Sequence, residues 1–518
     1  MKTYYNHLQD TSSQKKPVNR SSAIFPFIAS KSFNTKIHFL SYWFLKRGIK
    51  KIKIVFSLRS VDGKLIYSNY FFITNIIKAY CISVNDYLKL GSKSIFGSIE
   101  IEAFSDENLF YPYPAFVFNF VTKDSSSFVH SCGRIFNNEI DKKNNTIFLT
   151  EESGFDVLPN IKTKPFFSFV NGKETLLNKK ISIDLINVFG EVHKKIFFIK
   201  KLKKYETKFI FFLDESEKYF FKKHKGTVKI KHDFKNFFPR FLVGNVCNQL
   251  TRSSLTHSYY DISKFNTEEH YWKNDDKKIF LDGVLTFPIF SIIRFYNEIV
   301  IYPIYPKTKG ILLDLRLYKK NGKIIKIVKN FLNVPNQINA PIYIKINDLV
   351  YNNVAVKELK NLVMGKLIIK GKKIPSRLKF GLNIGHKVKE SMPCNICFNA
   401  LLPSKKRMDK TTSFKWAPIL NSFNYKFYLF NASFLKNDFK KVDIEMKFWR
   451  QLDNKFITKK ITLHDNGSFI FNLNKNKKIK DFLKNQSGWV TITGRSPYLT
   501  GFYFQENNNN FFSGDHFF

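Results

Sequence analysis

The chain has 518 residues, 44% of them apolar and including 58 Phe and 24 Tyr, and this composition excludes disorder over most of its length. Lys and Arg number 85 against 41 Asp and Glu, a formal charge of +44. Five Cys residues exclude a disulfide framework, and residues 1–22 lack the apolar segment of a signal peptide. We therefore expect a basic, cytoplasmic protein without a membrane span that begins with a mobile tail at 1–22.

A strand–proline–strand pattern occurs four times along the chain. Each copy begins at a glycine followed by alternating apolar residues, the pattern of a half-buried strand. A proline then ends the strand or places it at a sheet edge, because proline lacks a ladder N–H. A histidine or cysteine follows that proline after 18 or 19 residues. The glycine, proline and final residue of each copy are Gly97, Pro112 and His130; Gly226, Pro239 and His257; Gly365, Pro375 and Cys394; and Gly488, Pro497 and His516.

A predicted hairpin precedes each of these four patterns. Two apolar-rich runs flank a turn that contains glycine or another residue tolerant of left-handed backbone. A short run ending in Asn or Asp follows, and such residues commonly start a turn. The turns are Asp62-Gly63, Phe189-Gly190, Asn321-Gly322 and Asp453-Asn454, and the short runs include Ile82, Phe211, Ile344 and Phe471. Together these features predict an internal repeat of about 130 residues.

The predicted fold class is all-β, with four tandem antiparallel β-sandwich modules of about 110 residues joined by short linkers. Each module would contain six or seven short strands, and the strand pairs alone leave immunoglobulin-like and jelly-roll orders open. The predicted bounds are 23–138 for module 1, 147–265 for module 2, 279–403 for module 3 and 412–518 for module 4.

The segments ISVNDY at Ile82 and IKINDL at Ile344, with their hairpin and strand–proline–strand unit, resemble the sensory rhodopsin transducer family of small bacterial β-sandwich modules. The likeness covers about 80 residues of each module. Members of that family have one module, whereas this chain has four predicted ones. The resemblance implies a non-enzymatic adaptor or ligand-binding protein and a pseudo-fourfold or two-by-two arrangement of modules.

Catalytic signatures are missing from the sequence. It contains no Walker, GxSxG or HExxH motif, and the glycines of Gly381–Gly385 are not followed by the Lys-Ser/Thr pair that a phosphate loop needs. Cys394 and Cys397 form one CxxC without the further ligands of a closed zinc site. Asp214, Glu215 and Glu217 are expected at a solvated turn. We therefore predict no catalytic residue, no cofactor and no metal ligand.

Two recurrent side chains are candidate ligand contacts. The histidines of the repeat, His130, His257 and His516, could hydrogen-bond a ligand or could bind a neighbouring turn in every copy. A fold constraint recurs automatically in a repeat, so the structural interpretation is favoured. The arginines near the bend prolines, Arg240, Arg377 and Arg495, could hold a carboxylate or phosphate or could bind carbonyls freed by the bend.

The charge of +44 has two interpretations. Clustered lysines neutralise phosphate, but Lys, Asn, Ile, Phe and Tyr are abundant together here, as AT-rich coding produces. The favoured hypothesis is a non-enzymatic binding or assembly scaffold for a protein or carbohydrate-like ligand. The alternatives are a polyanion-binding protein, with salt-sensitive attachment to nucleic acid, and an enzyme of carbohydrate or surface-polymer metabolism. The sequence leaves the oligomeric state open.

Overall fold

A computed structural model describes residues 18–518 except for short gaps, and it divides the chain into two compact units, 1–264 and 265–518. Both units consist mainly of antiparallel strands, which confirms the all-β fold class. The gaps are 74–78, 111–113, 123–124, 137–150, 160–161, 235–236, 248–249, 261–269, 275, 388–391, 404–412, 421–423, 437–440, 452, 454, 485 and 507–511. Pro112, Asn454 and most of the predicted tail lie outside the described residues.

Unit 1 begins with two four-stranded sheets, here called sheet pair 1, and a short strand that follows them. Their strands are β1 (Arg20–Ala29), β2 (Phe33–Leu40), β3 (Ile52–Ser60), β4 (Leu65–Ile73), β5 (Ala79–Ser83), β6 (Ile95–Phe104), β7 (Val117–Thr122), β8 (Ser126–Val129) and β9 (Arg134–Ile135). One sheet has the order β1-β6-β3-β4 and the other has the order β5-β2-β7-β8.

Sheet pair 2 completes unit 1. Its strands are β10 (Glu151–Ser153), β11 (Asp156–Val157), β12 (Thr163–Val170), β13 (Leu176–Asn187), β14 (Val192–Leu202), β15 (Thr207–Phe211), β16 (Gly226–His232), β17 (Phe237–Phe238), β18 (Leu242–Cys247), β19 (Ser253–His257) and β20 (Tyr259–Tyr260). The sheets have the orders β14-β13-β16-β10-β20, with β11 beside β16, and β15-β12-β18-β19. β17 pairs with β9.

Sheet pair 3 opens unit 2. Its strands, with a short strand before them, are β21 (Tyr271–Trp272), β22 (Gly283–Pro288), β23 (Phe295–Ile301), β24 (Ile311–Lys319), β25 (Ile324–Val334), β26 (Ile342–Lys345), β27 (Leu362–Lys370), β28 (Ile374–Pro375), β29 (Lys379–His386) and β30 (Cys394–Asn399). The sheets have the orders β22-β27-β24-β25 and β26-β23-β29-β30, and β21 pairs with β28.

Sheet pair 4 ends the chain. Its strands are β31 (Ser413–Ile419), β32 (Asn424–Asn431), β33 (Val442–Arg450), β34 (Phe456–Leu463), β35 (Ser468–Asn472), β36 (Gly488–Gly494), β37 (Leu499–Glu506) and β38 (Phe512–His516). The sheets have the orders β31-β36-β33-β34 and β35-β32-β37-β38.

The main strands of every sheet pair follow one order. Numbered along the chain within a pair, strands one, six, three and four form one sheet, and strands five, two, seven and eight form the other. The predicted hairpins are present as β3–β4, β13–β14, β24–β25 and β33–β34. The division into four tandem modules with the predicted bounds stays a prediction, since the compact units are two.

Short helices connect some of the strands. They are α1 (Tyr42–Arg47), α2 (Glu215–Phe220), α3 (Ile346–Asn353), α4 (Val356–Leu359) and α5 (Lys477–Leu483). Asp214 caps α2 by accepting a hydrogen bond from the Glu217 N–H at 2.9 Å. The Glu217 carboxylate is buried and forms an ion pair with Lys195, with 2.6 Å between Glu217 Oε1 and Lys195 Nζ. The expectation of a solvated turn was therefore wrong for Glu217, because a local pattern of acids does not show which neighbouring strand covers them.

The core of each sheet pair comes from the alternating apolar residues. In sheet pair 1, Ile99, Ile101 and Ala103 of β6 point the same way and are fully buried. After the fifth strand, an asparagine closes the loop between the first two strands. Asn85 donates to the carbonyl oxygens of Ser30 and Phe33, and Asn347 donates equivalently to Ile292 and Phe295.

Candidate functional site

The repeated histidines share one local hydrogen bond in two of their copies. His257 Nδ1 lies 2.9 Å from the carbonyl oxygen of Ser258, and His516 Nδ1 lies 3.1 Å from that of Phe517. His257 is buried at the end of β19, and His516 is half-buried at the end of β38. The His130 ring meets the His257 ring edge to face at 4.7 Å between centroids. This geometry favours a structural role, and ligand contact by these histidines stays a prediction.

Arg240 and His257 belong to a buried polar cluster in unit 1, which we call the Arg240 cluster (Glu152, Arg240, His257 and Ser258). Arg240 Nη1 lies 3.4 Å from both Glu152 Oε2 and the Ser258 carbonyl oxygen. Ser258 Oγ donates to the same Glu152 oxygen. His257 Nδ1 contacts the Ser258 backbone carbonyl rather than the Ser258 hydroxyl, whose hydrogen bond goes to Glu152.

The other bend arginines have different surroundings. Arg377 is half-buried between β28 and β29, whereas Arg495 is exposed after β36. Cys394, which occupies the histidine place in the third copy, begins β30 with its Sγ 3.6 Å from the Gly514 carbonyl oxygen. The structure therefore brings His130, His257 and Arg240 together but gives the three arginines no common environment. Anion binding by Arg240, Arg377 and Arg495 stays a prediction.

Unit 1 buries a carboxylate on the outer face of β6. Glu100 Oε2 lies 3.0 Å from Arg59 Nη1, and Glu100 Oε1 lies 3.4 Å from Arg20 Nη2. The Arg59 guanidinium also stacks over the Tyr205 ring at 4.2 Å from its centroid. Burial, with help from the Glu102 carboxylate, raises the pKa of Glu100 to about 7 even though the two arginines oppose the shift. Sheet pair 2 therefore covers a charge that the strand pattern assigns to solvent.

Unit 2 buries a charge of opposite sign on the corresponding face of β27. The Lys366 side chain donates to the Ser433 carbonyl oxygen at 2.8 Å and to Asn466 Oδ1, and only 1% of the residue surface is exposed. Its Nζ also lies 5.4 Å from the centroid of the Tyr318 ring. Burial lowers the pKa of Lys366 to about 7, against the opposing effect of Asp465. Sequence reasoning missed this residue, and its only signal was a lysine within an apolar strand pattern.

One edge strand of each sheet pair is mostly exposed. These four strands, β4, β14, β25 and β34, are called the outer edge strands. Each one pairs with the strand that precedes it in the chain, β3, β13, β24 or β33, and among the described residues has no further strand on its other side. They have 8 to 11 residues, longer than the typical edge strand that natural proteins keep short. In β4, Tyr70 is 56% exposed and Phe72 is 61% exposed. On the side without a neighbouring strand, these edges present backbone groups together with apolar side chains. Local features interrupt the row: the Tyr70 N–H of β4 donates to Asn69 Oδ1 at 2.8 Å, and β25 has a bulge beside Asn330.

The β13–β14 hairpin also forms an open, basic groove. Leu177, Asn178, Phe198, Ile199, Lys200, Lys201 and Lys208 line it. Phe198 is 80% exposed, the largest exposure among the apolar residues of β14. Lys200 and Lys201 are exposed beside it, whereas Lys208 pairs with Glu206 at 2.5 Å. Exposed aromatic rings beside lysines can stack on bases and bind phosphates.

Comparisons with known proteins give little support for an assignment. No family model matches the chain, and no curated protein matches it. Among solved structures, the chain is similar over 48% of its length to a calcium-binding mutant of Bacteroides uniformis beta-glucuronidase 2, with 10% identity and a TM-score of 0.11. The match spans 28% of that enzyme's chain. A likeness at this level carries no argument about fold or function.

Within the residues that the structure describes, no helix has both the length and the apolar character that a membrane crossing requires.

Proposed function

We propose that this protein is a non-enzymatic binding and assembly scaffold whose ligand surface is formed by the outer edge strands. The observation that carries the proposal is the exposure of β4, β14, β25 and β34, in contrast with the largely buried strands beside them. An unpaired edge accepts an extended chain as an additional strand. Backbone hydrogen bonds then supply affinity, and alternate side chains supply specificity.

The chemistry of these edges favours a protein over a carbohydrate-like ligand. A peptide backbone presents the alternating N–H and C=O groups that a sheet edge needs, whereas a sugar chain does not repeat them at that spacing. The adaptor role implied by the resemblance to sensory rhodopsin transducer modules agrees with this proposal. A cytoplasmic location is part of it, supported by five cysteines that are all free thiols.

Selection from a peptide library displayed on phage tests the proposal with the full-length chain. We expect to recover peptides with alternating apolar residues, and their affinity should fall at least roughly tenfold when Phe198→Asp and Ile324→Asp are introduced, which change exposed residues of β14 and β25. The matched control carries Ile293→Asp and Val356→Asp, which change exposed apolar residues outside the outer edge strands. Failure to recover any peptide, or equal loss with the control, would contradict the proposal.

A second candidate function is polyanion binding, and the basic groove of β13–β14 is the observation that favours it. The probe is a fluorescent single-stranded oligothymidine titrated at several salt concentrations. Neutralising Z phosphates gives a slope of log K against log salt of about −0.7Z, so Lys200→Ala with Lys201→Ala should flatten the slope by about 1.4. The charge-matched control, Lys459→Ala with Lys460→Ala in β34, should leave unchanged the part of the slope that the groove contributes. Binding without salt dependence would rule this function out.

A further inference from the structure

We propose that β4 pairs with β4 of a second copy of the chain, antiparallel and centred on Asn69, so that two chains form a dimer. This inference rests on the proposed function, because it assigns the occupant of one outer edge strand. It joins two four-stranded sheets into one continuous sheet. The interface is isologous and uses the same edge on both copies, so the assembly closes at two chains and does not extend into a fibre.

Charge distinguishes β4 from the other outer edge strands. Its sequence, LIYSNYFFI, contains no charged residue. The other three carry two or more lysines, and natural proteins place lysine on exposed edges to prevent edge-to-edge pairing. The lysines are Lys194, Lys195, Lys200 and Lys201 in β14, Lys326 and Lys329 in β25, and Lys459 and Lys460 in β34. β4 is therefore the outer edge strand without this protection.

The positions of the lysines oppose centred self-pairing at each of the other three strands. Such pairing would set Lys194 opposite Lys200 in β14 and would place Lys329 on the twofold axis in β25. In β34 opposed residues must point to the same face of the sheet, so the two central registers set Lys459 or Lys460 opposite its own copy. Like charges directly opposite one another destabilise a strand pair. In β4 the residue on the axis is the uncharged Asn69, which is exposed.

The side chains of β4 complement one another in the same register. Ser68 would face Tyr70 on one face of the sheet, while Tyr67 would face Phe71 on the other. The regular register ends at Ile66, which is the extra residue of a bulge in β4. Pairs of an aromatic with a β-branched or a second aromatic residue are among the stabilising cross-strand contacts. Ile66, Tyr70 and Phe72 are exposed in the single chain, so pairing buries apolar surface as well.

The overall charge makes a second copy a demanding partner, and this strengthens the argument for β4. At +44, two chains repel one another, so they can associate only where no lysines face each other and where apolar contact compensates. β4 meets both conditions among the outer edge strands. An acidic partner would gain more from the lysine-bearing edges than from β4.

Sedimentation equilibrium of the full-length chain tests the inference over a roughly hundredfold range of micromolar concentration at moderate salt. We expect wild type to reach twice the chain mass of 61.0 kDa. Asn69→Lys, which gives β4 the axial lysine that β25 has, should weaken the dimer roughly tenfold or more. Thr458→Lys in β34 adds the same charge at an exposed position of another outer edge strand and should leave the dimer unchanged.

A charge-swap mixture tests the register itself. Asn69→Asp alone should also weaken the dimer, whereas an equimolar mixture of Asn69→Lys and Asn69→Asp should restore it, because opposite charges then meet on the axis. The inference is overturned if wild type stays monomeric, if Asn69→Lys remains as dimeric as wild type, if Thr458→Lys weakens the dimer equally, or if the mixture is not restored.

The peptide selection distinguishes failure of this inference from failure of the proposed function. A monomeric chain that still binds selected peptides through the outer edge strands contradicts the dimer and leaves the scaffold proposal standing. A monomeric chain that binds no peptide contradicts both.

Discussion

The backbone N–H of Ser468 donates a 2.8 Å hydrogen bond to the carbonyl oxygen of Lys320, which joins the two sheet pairs of unit 2. In unit 1, Thr207 donates equivalently to Val61 at 2.9 Å. In both units the turn between the third and fourth strands of one sheet pair contacts the start of the fifth strand of the next. Each unit therefore uses the same backbone contact to hold its two sheet pairs together.

Gly322 is required at this contact. Its φ of +86° favours glycine, and a Cβ would lie 2.2 Å from the Asp465 carbonyl oxygen. Gly322→Ala should lower the free energy of unfolding of unit 2 by about 3 kcal/mol, the sum of left-handed strain and steric overlap. Gly310→Ala is the matched control, since Gly310 has a φ of +58° with nothing within 4 Å of the Cβ position, and should cost about 1 kcal/mol.

Tryptophan fluorescence during urea unfolding measures this difference, because four of the five tryptophans, Trp272, Trp416, Trp449 and Trp489, lie in unit 2. Equal losses of unfolding free energy in Gly322→Ala and Gly310→Ala would show that the turn contact does not contribute to the stability of unit 2.

Lys366 should make unit 2 more stable as pH rises. Its pKa in the folded chain is about 7, below the unfolded value of about 10.4, so the unfolded chain binds more protons between these values. Stability should therefore increase from about pH 7 to about pH 10, and Lys366→Met should remove that increase. Urea midpoints from tryptophan fluorescence measure the effect. Lys370 lies on the same strand but is more exposed and pairs with Asp314, so Lys370→Met should retain the increase in stability with pH.

Glu100 should give unit 1 the opposite dependence. The pKa of Glu100 in the folded chain is about 7, above the ordinary glutamate value of 4.5, so the folded chain binds more protons between these values. Stability should fall as pH rises from about 4.5 to about 7, and Glu100→Gln should remove the fall. Urea midpoints followed by circular dichroism at each pH measure the effect. A Glu100→Gln profile parallel to wild type would contradict the assignment, and exposed Glu174→Gln serves as the control.

The bend arginines should differ strongly in their contribution to stability. Arg240→Met leaves the buried Glu152 carboxylate without its guanidinium partner and should cost about 3–5 kcal/mol. Arg495→Met changes an exposed side chain at a corresponding bend and should cost less than about 0.5 kcal/mol. Urea unfolding followed by circular dichroism compares them. Similar losses of unfolding free energy in the two variants would contradict this difference between the buried and the exposed arginine.

The sequence was a good guide to local strands because period-two alternation and turn residues are local signals. Gly63, Gly190 and Gly322 all have positive φ at the predicted turns. The predicted strand after each repeat glycine is present, beginning at Gly226 and Gly488 or just before Gly97 and Gly365. These features depend on a few neighbouring residues and need no knowledge of the tertiary arrangement.

The buried charges could not be predicted in the same way. Glu100 and Lys366 lie on the polar face of their strands, which alternation assigns to solvent, and the next sheet pair covers that face. The exposed apolar residues of β4 show the reverse case. Alternation does not state whether the second apolar face of a strand is covered or free, because that depends on contacts distant in sequence.

Hydrogen exchange of the full-length chain, with and without a selected peptide, tests the scaffold proposal most directly. Peptide binding should slow exchange of the backbone amides in outer edge strands such as Val192–Leu202 and Ile324–Val334, and should leave the buried strand Ile99–Ala103 of β6 unchanged. Protection confined to other surfaces, with the outer edge strands exchanging as fast as in the free chain, would contradict the proposal.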